Sequence, residues 1–244
     1  LARRFRLAPG TRWETEVSIG ARALLLLSME GRIIRGRPKG TWVSSQYRWS
    51  PTERWFPDGL PGLAAQDARA ELVGRWLASY GPGTTADLRW WTGLTAREVR
   101  EALAVVKPAE VDLDGRPGWV LAHDLAPVRP PRPFAALLPS LDATVMGWAE
   151  RGWYLGEHGP FLFDRAGNAG PTVWWDGRVV GAWTHRQTGE VAFKLVEDVG
   201  SEGIAAIEAQ ASRLQSWLGE VRVVPRFPTP VELRLRRGEK PAKG

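Results

Sequence analysis

Thr95-Ala96-Arg97-Glu98-Val99-Arg100-Glu101-Ala102-Leu103-Ala104-Val105-Val106 is the stretch on which the fold turns. Thr95 and Glu98 have the spacing of a capping box, in which the threonine oxygen accepts from a first-turn N–H while the glutamate reaches back to the threonine's own N–H. A helix therefore starts here. Val99, Ala102, Leu103 and Val106 fall at i, i+3, i+4 and i+7, an apolar stripe that leaves Arg97, Arg100 and Lys107 on the other face. Toward the C terminus, Glu110 to Leu113, Asp114-Gly115 and Gly118 to Leu121 predict a hairpin. Toward the N terminus, Gln66 to Ser79 places Ala70, Val73, Trp76 or Leu77, and Tyr80 on one side before Gly81-Pro82-Gly83 stops it, and Thr84 caps a short helix through Thr92. Three helices and a two-stranded wing between Gln66 and Asp124 make a winged helix.

Upstream, the same ending is repeated. Val17 to Glu30 is densely apolar without proline and predicts a buried helix stopped at Gly31. Arg32-Ile33-Ile34-Arg35 alternates as a strand, Gly36-Arg37-Pro38-Lys39-Gly40 is turn-like, and Thr41-Trp42-Val43-Ser44 is the expected partner strand. Residues 1–60 are thus expected to be the end of one winged-helix unit plus a packed connector over Pro51 to Gly62, and residues 61–128 a complete unit.

The proline cluster of Ala126 to Pro133 marks the expected boundary to a third domain, residues 129–244. Strands are predicted there at Gly152 to Leu155, Pro160 to Phe163, Thr172 to Trp175, Val179 to Thr184, Glu190 to Leu195 and Val221 to Val224, with Asp176-Gly177 as the best hairpin turn. Short strands at close spacing argue for a barrel or sandwich. One helix, residues 202–218, interrupts them, with Ser201 as cap, Ile204, Ile207, Ala211, Leu214 and Leu218 as its buried stripe, and Gly219 as its stop. Beyond Pro225, Arg234-Leu235-Arg236-Arg237 leads into a tail expected to fray. The fold class expected is α+β: tandem winged-helix units followed by a C-terminal β-barrel with one long helix.

Composition excludes several classes of function. The 244 residues contain no cysteine, so there is no disulfide, thiol nucleophile or cysteine-held cluster. The greasiest stretch, the four leucines Leu24 to Leu27, is far too short to cross a bilayer, and Arg3, Arg4 and Arg6 lead into Pro9-Gly10 instead of a signal-peptide core. A soluble, cytoplasmic protein is expected. Thirty-three Lys and Arg against 27 Asp and Glu give a net charge of +6. Arginine predominates, which suits phosphate, although arginine richness also follows from a G+C-rich genome. The sequence opens on Leu1 and its methionines are Met29 and Met146, so a segment ahead of Leu1 is expected.

Tyr80-Gly81-Pro82-Gly83-Thr84-Thr85-Ala86-Asp87-Leu88 with Trp90-Trp91-Thr92-Gly93-Leu94, then Leu137-Leu138-Pro139-Ser140-Leu141-Asp142, then Gly170-Pro171-Thr172-Val173 with Asp176-Gly177-Arg178-Val179-Val180-Gly181-Ala182-Trp183, occur in this order. Together they resemble the AlkZ/YcaQ-like winged-helix DNA glycosylases. The resemblance implies three tandem winged helices and a β-barrel, here represented from the end of the second winged helix onward. It implies removal of bulky N-alkylated purines, including those in interstrand crosslinks, by glycosidic hydrolysis without metal or nucleotide cofactor. The partner implied is double-stranded DNA, and a monomer in a bacterial cytoplasm, on the nucleoid when bound, is expected. That family carries its catalytic Gln-x-Gln or Gln-x-Asp in the first winged helix. Gln46, Gln66, Gln187, Gln210 and Gln215 form neither pattern, so no catalytic residue is carried over, and a non-catalytic DNA-binding protein or transcriptional regulator stands as the alternative.

Candidate DNA contacts are Arg32, Arg35, Arg37 and Lys39 on the first wing, where a cationic hairpin can follow a duplex backbone or can simply be a solvated edge. Arg97 and Arg100 occupy the recognition-helix face, which in a tandem array can instead pack on a neighbour. Arg165 and Asn168 sit in a loop at the expected barrel rim, where an Asn near Gly is also an ordinary turn. His123, His158 and His185 have no metal-ligand spacing. Trp76, Trp90, Trp91 and Trp217 are expected in the core, and Asp142, Glu150 and Asp164 are carboxylates whose mutual distances sequence does not fix.

Overall fold

Chain direction and side-chain pattern resolve into two compact units, Leu1–Ala64 and Ala65–Gly244, in the computed structural model, which describes residues 3–11, 14–40, 44–223 and 228–237. In the first unit, β1 (Arg4–Leu7) pairs antiparallel with β2 (Thr15–Ser18), a ribbon the sequence pattern did not suggest. The β-branched Thr15 and Val17 take Val17 out of the expected helix, so α1 begins later, at Ile19–Met29, where the Ser18 hydroxyl accepts from the Ala21 N–H at 3.0 Å. None of the α1 side chains is buried, which corrects the expected buried helix. Its apolar residues exceed what β2 and β3 can cover, and Leu25, Leu26 and Met29 are exposed.

β3 (Ile33–Pro38) pairs with β4 (Tyr47–Pro51), so Ile33 faces Pro51 and Arg35 faces Trp49. The expected partner strand began at Thr41; residues 41–43 lie outside the described residues, and Ser44 is not in a strand. Pairing starts later because the loop is longer, closed by the Lys39 N–H donating to the Gln46 carbonyl at 2.7 Å. Gly36, Arg37 and Pro38, expected as turn, belong to β3, where the register shifts between Arg35 and Pro38. A bulge tolerates a glycine and a residue without an N–H.

The second unit opens with α2 (Ala65–Tyr80), α3 (Thr85–Thr92) and α4 (Ala96–Val106), followed by the hairpin β5 (Ala109–Asp112) and β6 (Pro117–Val120). Both helix starts named from sequence carry complete capping boxes, Thr84 with Asp87 and Thr95 with Glu98. The Thr95 N–H and hydroxyl hold the Glu98 carboxyl below its ordinary range. Val73, Trp76, Leu77, Leu88, Val99, Ala102 and Leu103 form one core beneath these helices.

Beyond the proline-rich segment lies an open antiparallel sheet in the order β10-β9-β8-β7, formed by β7 (Ala135–Leu138), β8 (Thr172–Trp175), β9 (Arg178–His185) and β10 (Val191–Leu195). Asp176 at φ 47° and Gly177 at φ 80° make the β8–β9 turn expected of Asp-Gly. Among the described residues no closed barrel forms, which corrects the expected one. Two of its predicted strands are helical, and of the third, Val221 to Val224, residue 224 lies outside the described residues. Gly152–Leu155 and Gly159–Leu162 are single-turn helices, α5 and α6, the second with Pro160 in its first turn, where a missing N–H costs nothing. Residues 221–223 are irregular, and the Val223 N–H goes to His185 Nδ1 at 3.2 Å instead of to a neighbouring strand.

Helices cover both faces of this sheet. Val173, Val180, Trp183 and Val191 pack against Ile207, Ala211 and Leu218 of α7 (Gly200–Leu218). Trp174, Val179 and Ala182 on the other face meet Tyr154, Leu155 and Leu162, with Val231 and Leu235 of α8 (Pro230–Arg236). Burial pushes the Tyr154 hydroxyl up to about 12, and it donates to the Val145 carbonyl at 3.0 Å. Ser201 is not the cap of α7: the helix begins at Gly200, whose N–H is held by Asp198 Oδ1 at 2.9 Å. Ile204 is exposed, since Gly203, Ile207 and Ala211 define the buried face and Gly203 admits the Trp175 ring. The end expected to fray, beyond Arg237, lies outside the described residues; ahead of it the chain forms a helix that the sequence reading did not name. Thr229 and Glu232 form a third capping box, and α8 docks so closely that a Cβ on Gly170 would lie 2.6 Å from Thr229 Cγ2.

A polar staple joins the helical part of this unit to the segment before α5. Asp87 Oδ1 accepts from the Ala149 and Glu150 N–H groups at 2.8 and 2.9 Å, while its Oδ2 accepts from Thr84 N and Oγ1 at 2.9 and 2.8 Å. Beside it, the Trp148 indole donates to the Tyr80 carbonyl at 3.1 Å and meets the Tyr80 ring edge-on with centroids 5.4 Å apart.

Candidate nucleic-acid interface

Arg32, Arg35, Arg37 and Lys39 are all exposed along the β3 edge of the first hairpin. The register shift between Arg35 and Pro38 places Arg37 in a bulge, where it is exposed like Arg35. The Arg35 guanidinium lies 4.5 Å from the centroid of Tyr47 on β4, a cation–π contact that orders the head while leaving its N–H donors available. Arg48 of β4 and Arg54, in the 3-10 turn Thr52–Arg54, extend the same positive surface. Among the described residues, none of these cations has an ion pair with a carboxylate. An unneutralised guanidinium on a hairpin can exchange its counterion for a phosphate with little reorganisation.

Sequence reasoning missed Arg48 and Arg54. The signal was present in Tyr47-Arg48-Trp49, where aromatic and charged residues alternate in the sequence as they can in a strand, but the partner strand was expected six residues earlier. Arg54 was hidden inside a stretch read only as connector.

The α4 pair separates on inspection. Arg97 Nε donates to Glu101 Oε1 at 2.7 Å, an i,i+4 ion pair that raises the guanidinium's affinity for its proton and satisfies it locally. Arg100, one turn on, is exposed and carries no ion pair among the described residues. In the loop between α6 and β8, Asn168 donates through Nδ2 to Asp164 Oδ2 at 2.9 Å, and Asp164 Oδ1 accepts from the Ala166 and Asn168 N–H groups at 2.8 and 2.9 Å. These bonds, led by the Asn168 side chain, lower the Asp164 carboxyl below its usual range. The asparagine amide is therefore committed to its own turn, while Arg165 projects beside it, exposed.

The other titratable candidates have local duties. Asp142 Oδ1 accepts from the Thr144 N–H at 2.9 Å, and Glu150 pairs with Arg116 at 2.9 Å. His158 Nε2 lies 2.8 Å from Glu197 Oε1, which Arg178 also approaches at 3.2 Å. Among the described residues no group of three His, Asp or Glu side chains could hold a metal ion. Of the tryptophans expected in the core, Trp76 is buried, but Trp90 and Trp91 are exposed, and Trp217 is 81% exposed on the side of α7 away from the sheet. Arg151 covers Trp90 from 5.0 Å.

Comparison with known proteins gives a consistent result. The model of the family "DNA glycosylase AlkZ-like" matches residues 1–217. Among solved structures, the Streptomyces sahachiroi DNA glycosylase AlkZ is similar with a TM-score of 0.67 at 22% identity, over 86% of this chain and 58% of that one. At that identity the likeness establishes the fold, and this chain spans 58% of the length of that structure. No curated protein matches the sequence. Because the family model runs through both structural units and takes in 217 of the 244 residues, this chain belongs to the AlkZ-like DNA glycosylase family.

Proposed function

We propose that this chain is the DNA-gripping portion of a monofunctional DNA glycosylase that removes bulky N-alkylated purines and unhooks interstrand crosslinks. The observation that carries the reading is the family match across residues 1–217. N-alkylation of a purine ring nitrogen places positive charge on the base and makes it a good leaving group. The protein's task is then to hold the duplex, admit water to the sugar carbon and stabilise the cationic sugar as the base departs. This chain's own residues serve the first of these. Arg32, Arg35, Arg37 and Lys39 bind phosphates as the wing of a winged helix, Arg100 contacts DNA from the recognition-helix position of a second one, and Arg165 reaches it from the loop before β8. Arg97 and Asn168 are retained as contacts only if DNA displaces Glu101 and Asp164 from them. The protein acts as a monomer in a bacterial cytoplasm, without metal or cofactor. No helix among the described residues is long and apolar enough to cross a membrane.

Incubating the full-length protein with duplex containing N7-alkylguanine tests the proposal: abasic sites should accumulate beyond spontaneous loss, and a crosslinked duplex should separate into single strands. Duplex that loses base only at the spontaneous rate refutes it. A second reading, a non-catalytic DNA-binding protein or regulator, is favoured by one observation, that none of the five glutamines lies in Gln-x-Gln or Gln-x-Asp. Binding of alkylated and undamaged duplex with equal affinity and no release of base would select it.

A further inference from the structure

Between the 3-10 turn and the bulged end of the first hairpin, Arg37, Arg48 and Arg54 surround a pocket of about 570 Å³ whose walls include the indoles of Trp49 and Trp55. We propose that this pocket seats an unpaired nucleotide of single-stranded DNA, its base on Trp55 and its phosphates on the three guanidiniums. The inference deepens the DNA-binding reading above and rests on it.

Each feature of the pocket is held in place. The Trp55 indole N–H donates to Ser50 Oγ at 2.7 Å, which fixes the ring beside β4 although the side chain is 61% exposed. Thr52 anchors the turn that carries Arg54 and Trp55: its N–H donates to the Arg32 carbonyl at 3.1 Å and its hydroxyl to the Gly31 carbonyl. Across the pocket, the bulge between Arg35 and Pro38 re-aims Arg37, and a Cβ on Gly36 would already touch the Arg48 carbonyl at 3.5 Å. The volume lies within the range of about 300–1,000 Å³ typical of small-ligand sites.

The chemistry selects the ligand. No carboxylate lines the pocket, and among the described residues Arg37, Arg48 and Arg54 form no ion pair, so three like charges converge with nothing to offset them until an anion arrives. Paired duplex phosphates would satisfy the arginines but would leave the fixed, open indole unused, because bases inside a helix present no face to it. An unstacked base does present one. Guanidinium donors with an aromatic platform are the combination by which strands are held without regard to sequence.

Binding of the full chain to fluorescein-labelled oligo(dT), and to a blunt duplex of matched charge, distinguishes the possibilities by anisotropy. Trp55→Ala should weaken oligo(dT) binding by roughly 5- to 150-fold, the loss of one stacked base, and leave blunt-duplex affinity unchanged. Trp55→Phe, which keeps a ring, should retain most of the oligo(dT) affinity. Arg48→Ala with Arg54→Ala should reduce the salt slope on oligo(dT) by about 1.4, at roughly 0.7 per phosphate lost. Unaltered oligo(dT) binding by Trp55→Ala overturns the proposal, as does equal weakening on both probes, equal loss in Trp55→Phe, or competition by free dTMP as effective per nucleotide as by the strand. If the unsubstituted chain binds the duplex but not oligo(dT), this inference fails alone; if it binds neither, the DNA-binding reading fails with it.

Discussion

Replacing Asp87 by alanine should destabilise the second unit more than any other single carboxylate truncation among its described residues. The side chain is 2% exposed and accepts four hydrogen bonds, two from Thr84 and two from the N–H groups of Ala149 and Glu150. Truncation breaks the capping box of α3, worth about 0.5–2 kcal/mol. It also strands the 149 and 150 N–H groups, at about 1–3 kcal/mol each when water is excluded. Both residues are half-buried, so water relieves part of this, and a total of about 3 kcal/mol follows from the lower part of those ranges. A chain of this size should then melt about 6–12 °C lower. Urea titration followed by tryptophan fluorescence, with thermal melting alongside, measures the loss. Asp87→Asn supplies the sharper test. Each carboxylate oxygen already accepts two donors, so an amide necessarily turns its NH2 toward two N–H or O–H groups. Asparagine should therefore restore little of the stability. A loss under about 1 kcal/mol in alanine, or full recovery in asparagine, would show that the staple is not what joins the two parts.

Further outcomes are expected at the β3–β4 hairpin and at α8. Arg35→Ala combined with Arg37→Ala should weaken duplex binding and lower the slope of log K against log salt by about 1.8, at roughly 0.9 per phosphate contact; an unchanged slope removes the β3–β4 hairpin from the proposed interface. Glu232 is buried, and desolvation raises its carboxyl above the ordinary value, while the Thr229 hydrogen bonds and Arg236, 3.7 Å away, pull the other way. Since the folded state holds this proton more tightly than the unfolded one, stability should be greatest below the ordinary glutamate range and fall as pH rises from there through the raised value. Glu232→Gln, which copies the protonated form, should flatten that part of a denaturation-versus-pH profile; a profile parallel to that of the unsubstituted chain would locate the pH dependence elsewhere.

Legibility followed the range of the interactions. Helices closed by local grammar were found from sequence because a capping box, a glycine stop and a 3.6-residue stripe lie within one element; α2, α3, α4 and both Asp-Gly hairpins are of this kind. α8 carries the same grammar in Thr229-Pro230-Val231-Glu232, that of Thr95 to Glu98 again, although no helix was read there. The barrel failed for a longer-range reason. Gly152 to Leu155 and Pro160 to Phe163 are short apolar runs whose period cannot separate a strand from one turn of helix, and the choice rests on packing against β9 and α8.

The segments that carried the family resemblance also acquire a physical meaning. In Tyr80 to Leu88, the Tyr80 carbonyl holds Trp148, Gly83 pairs with Trp119, and Thr84 and Asp87 cap α3 while gripping 149 and 150. Gly170 admits α8, and Asp176-Gly177 turns β8 into β9. These words specify how the second unit is assembled, and none places a reactive group. The cations proposed to meet DNA lie elsewhere, chiefly on β3, β4 and the turn after them, where neither capping nor periodicity constrains the side chain. Architecture and the proposed grip are thus written in different stretches of this chain, so the staple variants should alter melting with little direct effect on salt slope, and the variants of the β3–β4 hairpin should do the reverse.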